Sequence, residues 1–185
     1  MFPRLNNCQS NVVMKKAAVI KGIYRYSLTR EWDIEKPSVL FIMLNPSTAD
    51  AFDDDNTIRR CIGFAKRWGC GSIEVVNVFA LRSRDPLALR KAYEPIGSEN
   101  AQYILEAVRR ASKIILAWGN HVLHVSQASS IMNVITSLSD SETDFYCLGL
   151  TKEHQPKHPL MLSYGLLPQK CMVHKGERGY FVDII

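Results

Sequence analysis

No apolar run in this chain of 185 residues is long enough to cross a bilayer. The first residues lack the apolar core of a signal peptide, so a reducing cytoplasm is the expected setting and no membrane partner is expected. No CxxC pair occurs, and the five cysteines, Cys8, Cys61, Cys70, Cys147 and Cys171, are odd in number and widely spaced. That speaks against a disulfide framework and against a zinc site. Internal repeats and low-complexity linkers are also missing. An acidic excess is absent: 23 Lys and Arg against 18 Asp and Glu give a formal charge of +5, with a pI of about 9.0. This balance is compatible with a polyanionic partner but does not require one. What is present is an ordinary folded composition, 46% hydrophobic and 22% charged, in a chain long enough for one domain with a substantial core.

Residues 1–12 read as a loose lead-in. Two alternating stretches around Gly22, within Ala17 to Glu31, predict a hairpin. Pro37 then opens Ser38 to Leu44, apolar on both faces as a central parallel strand must be. Ile58, Ile62, Ala65 and Trp68 recur at helical spacing. Ile73 to Phe79 reads as a second buried strand, Lys113 to Trp118 as a third and Asp144 to Leu150 as a fourth. Asp85-Pro86 is an N-cap followed by an N1 proline, opening a short helix. Asn100 to Ala111 is amphipathic, and Val122 to Leu138 is expected to be helical despite its serines. The tail alternates at Met172–His174 and Tyr180–Ile184, which suggests a terminal hairpin. Strands alternating with helices predict an α/β fold. The expectation is a single domain over residues 1–185, core about 18–162, with a central, mostly parallel four-stranded sheet. Helices cover both of its faces, and an N-terminal hairpin is added.

Polar groups at the ends of several buried strands are how an open α/β sheet builds a site at one edge. Asn45-Pro46-Ser47-Thr48 ends the first buried strand. Asn45 can hold a water or a sugar oxygen there, and Ser47 a phosphate or the same water; equally, Asn-Pro makes a turn and the hydroxyls cap the next helix. Asp50, Asp53, Asp54 and Asp55 follow. A carboxylate near a reacting sugar stabilises positive charge or activates water, and a cluster of them can bind Mg²⁺. The other reading is a solvated loop that caps a helix. Asp50 is nearest the strand end and is the favoured functional carboxylate.

Asn77 interrupts the apolar run Val75 to Phe79. A buried amide costs free energy unless it is paired, and its donor and acceptor suit the edge of a pyrimidine. Pairing with nearby backbone is the competing reading. Trp118-Gly119 ends the third strand, as core and tight turn or as a pocket wall. The segment His154-Gln155-Pro156-Lys157-His158-Pro159-Leu160 is rigid, basic and polar. His158 can hydrogen-bond a departing base anion, Lys157 a phosphate, and Leu160 or Met161 can wedge into a base stack. A surface loop in which His158 caps a strand fits the same residues. Arg82 and Arg84, which follow the second buried strand, are the arginines best placed for a phosphate track.

Taken together, Asn45-Pro46, Asn77, Trp118-Gly119 and His158-Pro159 resemble, in order and character, the motifs of the uracil-DNA glycosylase superfamily. The Leu-Asn-Pro-Ser-Thr-Ala, Trp-Gly and His-Pro-Leu segments also resemble DUF1643, a bacterial and phage family defined as a domain of unknown function, over roughly residues 18–162. The resemblance implies a monofunctional DNA glycosylase, acting as a monomer without cofactor or metal on a base flipped from DNA. Asn77 would read the base, with Trp118 and Ser47 beside it. His158 would stabilise the leaving base, and Asn45, with Asp50, would place the attacking water. Arg82, Arg84, Lys157 and Leu160 would hold the DNA. Some glycosylases of this superfamily carry an iron–sulfur cluster, to which the cysteine spacing here gives little support. The first motif lacks the Tyr that shields a uracil pocket, and the last lacks the usual Ser. The implied substrate is therefore a modified pyrimidine, such as those of hypermodified phage DNA, with a role in antiviral defence. Two other functions fit the residues: a module that binds a nucleotide or modified base without cleaving it, and a metal-dependent phosphohydrolase or nuclease using Asp50–Asp55.

Overall fold

A computed structural model describes residues 13–139, 143–177 and 179–185. The lead-in at residues 1–12, including Cys8, lies outside the described residues. The elements in chain order are β1 (Lys15–Lys21), β2 (Tyr24–Glu31), β3 (Ser38–Met43), α1 (Asn56–Arg67), β4 (Ser72–Asn77), α2 (Asn100–Arg110), β5 (Lys113–Leu116), α3 (Ala128–Ser139), β6 (Phe145–Cys147), β7 (Gln169–Gly176) and β8 (Gly179–Ile184). Short 3-10 turns cover Pro86–Arg90, Asn120–His124 and Pro159–Met161.

All eight strands join one sheet in the order β1-β2-β4-β3-β5-β6-β7-β8. The α/β reading holds, but a four-stranded, mostly parallel sheet does not. β4, β3, β5 and β6 pair in parallel, while β1–β2, β2–β4, β6–β7 and β7–β8 pair antiparallel. The physical reason is that both hairpins hydrogen-bond to the edges of the parallel strands. A bare edge presents unpaired N–H and C=O groups, and a hairpin satisfies them by extending the sheet.

β3 sits in the middle because both its faces are apolar. Leu40 and Ile42 pack with α2 and α3, through residues such as Ile104, Ala107, Ile131 and Ile135. Val39, Phe41 and Met43 pack on the other face with Ile58, Cys61, Phe64 and Ala65 of α1. A fully buried Leu, Ile or Phe contributes about 1.5–3 kcal/mol relative to exposure. α1 begins where the Asp55 carboxylate accepts the Ile58 N–H at 2.8 Å, and it ends at Gly69, whose φ of 76° favours glycine. Asp85 caps the turn at Pro86 as the sequence predicts, accepting the Leu87 N–H at 2.9 Å.

The helix expected over Val122 to Leu138 is broken. A 3-10 turn ends at His124, Val125 is extended, and α3 starts only at Ala128. Asn120, at the head of that turn, is tied by side-chain hydrogen bonds to Glu153 and Thr151, and Ser126 and Gln127 bond to each other rather than extend a helix. β6 stops at Cys147 rather than Leu150, because Gly149 turns the chain at φ 110°.

The connection leaving β3 runs over the α1 face, while that leaving β5 runs over the α3 face. Neighbouring strands whose connections part to opposite faces open a crevice beyond their carboxyl ends. β2 runs antiparallel to β4, so its first residues also lie at that edge.

Candidate functional site

A cleft of about 580 Å³ occupies this crevice. It receives Met43, Leu44, Asn45 and Ser47 from the end of β3, Asn77 from β4, Trp118 to His121 from the end of β5, Lys157 and His158 from the segment after β6, and Asp55, Thr57 and Ile58 from the start of α1. Of the residues singled out in the sequence, Asn45, Ser47, Asn77, Arg84, Trp118, Lys157, His158 and Leu160 line it.

Asn77 is buried, 1% exposed, and its Nδ2 has no hydrogen-bond partner. The strand that carries it is held firmly. Asn100 is buried on α2 and donates from Nδ2 to the carbonyls of Asn77 and Val78, at 2.9 and 3.0 Å. The amide of Asn77 is thus anchored by its backbone and unspent at its side chain. Asn45 is different: its Nδ2 donates to the Pro46 and Ser83 carbonyls at 3.0 and 2.9 Å. Both amide hydrogens are spent on the turn, which leaves Oδ1 as the group able to accept from a ligand or water.

The His158 segment is fastened at several points. Gly119 N–H donates to the Pro156 carbonyl at 2.9 Å, and Lys157 N–H to that of Gly149 at 2.9 Å. Gly119 adopts φ 70°, a conformation that a side chain at this position would strain. The Trp118 indole donates to Gln155 Oε1 at 2.9 Å, and Gln155, fully buried, donates in turn to the Tyr180 carbonyl at 2.8 Å. Trp118 is therefore both core and cleft wall. His158 caps the turn at Pro159, its Nδ1 accepting from the Leu160 N–H at 3.4 Å. Burial lowers its pKa, outweighing the opposing attraction of Asp55. A neutral ring that accepts at Nδ1 carries its proton on Nε2, as a donor.

Two predicted residues stand elsewhere. Asp50 is not among the lining residues: its Oδ1 accepts the Phe52 and Asp53 N–H groups at 2.8 and 2.9 Å, closing a turn, and the Asp53 and Phe52 bonds hold its carboxyl below the usual range. Arg82 is also not among them; its backbone N–H donates to Ile23 and its buried Nε has no partner. Asp53 is held through its backbone, its N–H donating to Asp50 and its carbonyl accepting from Arg30. Asp54 pairs with Arg30 at 2.6 Å and Lys16 at 3.4 Å. Arg30, fully buried, also donates to the carbonyls of Asp50 and Asp53. Among the described residues, no three His, Cys, Asp or Glu side chains are grouped to hold a metal ion. Arg60 and Arg67 lie over one ring, Tyr164, at 3.7 and 4.1 Å from its centre, rather than in the cleft lining.

The sequence reading missed Arg25 and favoured Asp50 over Asp55 among the four aspartates, yet Arg25 and Asp55 both line the cleft. The alternation in Tyr24–Leu28 predicts only a hairpin strand, and Arg25 is 2% exposed beneath the loop that carries Ala49, to whose carbonyl it donates at 2.8 Å. No local pattern marks such covering. Asp55 Oδ1 is engaged by the Ile58 N–H, which leaves its second carboxylate oxygen for the cleft.

The fold and cleft define an α/β protein with a cleft at the carboxyl edge of its sheet's parallel strands. A family model described as "Protein of unknown function (DUF1643)" matches residues 25–160, and the chain belongs to that family. No curated protein matches the chain significantly. No helix among the described residues is long and apolar enough to cross a membrane.

Proposed function

We propose that this protein is a DNA glycosylase that hydrolyses the N-glycosidic bond of a flipped, modified pyrimidine. The observation that carries the reading is the pairing of two unspent donors in one cleft: the buried amide of Asn77 and the neutral Nε2–H of His158. Asn77 reads the base edge. His158 donates toward the negative charge that grows on the leaving base, and a neutral donor placed there before reaction costs no reorganisation. Asn45 Oδ1 accepts from the attacking water. Asp55, not Asp50, supplies the carboxylate that stabilises the sugar cation, because it is the aspartate that lines the cleft.

At the rim, Arg84 and Lys157 are exposed and suited to phosphates. Leu160 and Met161, 39% and 89% exposed, are apolar groups able to fill a vacated stack. The resemblance of the motif order to that of the uracil-DNA glycosylase superfamily supports the same reading. Removing a base that marks foreign DNA gives the activity a use in antiviral defence.

The test is alkali-labile strand breakage in DNA carrying uracil, hydroxymethylcytosine, glucosylated hydroxymethylcytosine or no modification, with EDTA present. Breaks confined to one modified base, and abolished by His158→Ala, are expected. A second reading, a module that binds the base without cleaving it, is favoured by one observation: both amide hydrogens of Asn45 are spent on backbone, and an amide is no general base. Binding without abasic product from any of these DNAs would select it.

A further inference from the structure

Arg25 is the largest unexplained cost in the cleft. Its guanidinium is buried and lines the site, yet its Nε has no acceptor and no carboxylate lies within ion-pairing distance among the described residues. Its Nη1 donates to the Ala49 carbonyl at 2.8 Å. Burial pushes its pKa down to about 10. At longer range, the fields of Asp55 and Asp50 oppose this, and those of Arg82 and Arg30 add to it. A buried charge left unpaired is expensive, and a well-placed counter-charge offsets that expense.

The neighbouring donors have the same sign of demand. β2 and β4 lie side by side, so Arg25 and Asn77 reach the cleft from adjacent strands. Asn77 offers an unpartnered Nδ2–H₂. Thr57, in the first turn of the twelve-residue helix α1, also lines the cleft, and that end of a helix favours negative charge. Arg25 and Asn77 thus set two donors side by side on this wall.

We infer that the wall formed by Arg25 and Asn77 binds an oxyanion of the ligand, a carboxylate or a phosphate. The inference rests on the reading that the cleft takes a pyrimidine nucleotide, and it names the chemistry of the end that enters beside β2. An acidic substituent on the base and the phosphate of a nucleotide are two sources of that group. A guanidinium binds either through paired N–H donors.

Calorimetric titration of the full chain with 2′-deoxyuridine, its 5-carboxy derivative and its 5′-monophosphate tests this. The wild-type protein should bind at least one of the two anions about tenfold or more tightly than deoxyuridine, roughly the strength of one charge-assisted hydrogen bond. Preference for the carboxy derivative places the group on the base; preference for the monophosphate places it on the sugar. Arg25→Gln should abolish the preference, and Arg25→Lys should keep part of it. Should Arg25→Gln fail to fold, Asn77→Asp, which sets a negative charge on the same wall, should reverse the preference. Equal binding of all three ligands overturns the inference, as does an anion preference that survives Arg25→Gln. Anion preference without strand breakage in any DNA leaves this inference standing and removes the glycosylase. Cleavage of a neutral modified base without anion preference does the reverse.

Discussion

Replacing Asn77 with leucine separates what this residue does for the ligand from what it does for the fold. Its Nδ2 is buried and unpartnered, while its backbone carbonyl is held independently by Asn100. A buried polar group without a partner costs about 1–3 kcal/mol. Leucine is close to asparagine in shape, removes that cost, and has the cleft to accept its extra bulk. Asn77→Leu should therefore stabilise the protein by about 1–2 kcal/mol, the lower part of that range. For a chain of this length, each kcal/mol corresponds to about 2–4 °C in Tm. Urea unfolding followed by circular dichroism should show a higher midpoint at unchanged slope. Base release should fall about 10–100-fold in kcat/KM, the loss of a hydrogen bond to the substrate. A midpoint that falls at unchanged slope would refute the reasoning, because it would mean that the amide has a structural partner.

Arg30→Met should behave in the opposite way, lowering stability by about 3–5 kcal/mol, since it strips Asp54 and the carbonyls of Asp50 and Asp53 of a buried guanidinium; chemical denaturation reads this directly. Asp55→Asn should reduce base release while Asp50→Asn leaves the chemical step intact and loosens only the turn at Phe52 and Asp53; single-turnover kinetics distinguish the two. His158 has a folded pKa below its unfolded value. Its neutral form is therefore favoured by folding, and the associated stability is present above the ordinary imidazole range and is lost as pH falls through it. Urea midpoints measured from pH 8 to pH 5 should decline less in His158→Gln than in the wild type.

Much of the fold was legible because its signals are local. Ser38 to Leu44 is apolar on both faces, and only a strand covered on both sides uses such a run. The Asp85-Pro86 cap and the alternating hairpin strands are likewise written in neighbouring residues. The size of the sheet was not legible, because hydrogen bonding at an edge leaves no mark on composition: β1–β2 and β7–β8 look the same whether they stand apart or extend the sheet. The break at Val125 escaped for a related reason, since it follows from bonds between Asn120 and the distant Thr151 and Glu153.

The site divides along the same line. Asn45, Asn77 and Trp118 stand out in the chain as polar or aromatic residues in or at the ends of apolar runs, and strand direction sends them to one edge, while His158 stands out in a rigid polar segment that hydrogen bonds to Gly119 and Gly149 hold at the same edge. Which of four aspartates faces the cleft is a different matter. Asp50 to Asp55 share composition and spacing, and long-range contacts sort them: Arg30 draws Asp54 to the hairpin, backbone N–H groups close the turn on Asp50, and the start of α1 leaves Asp55 in the cleft. Arg25 was invisible for the most general reason. Burial is a property of what the rest of the chain lays over a residue, and the loop at Ala49 that covers it arrives from another part of the sequence.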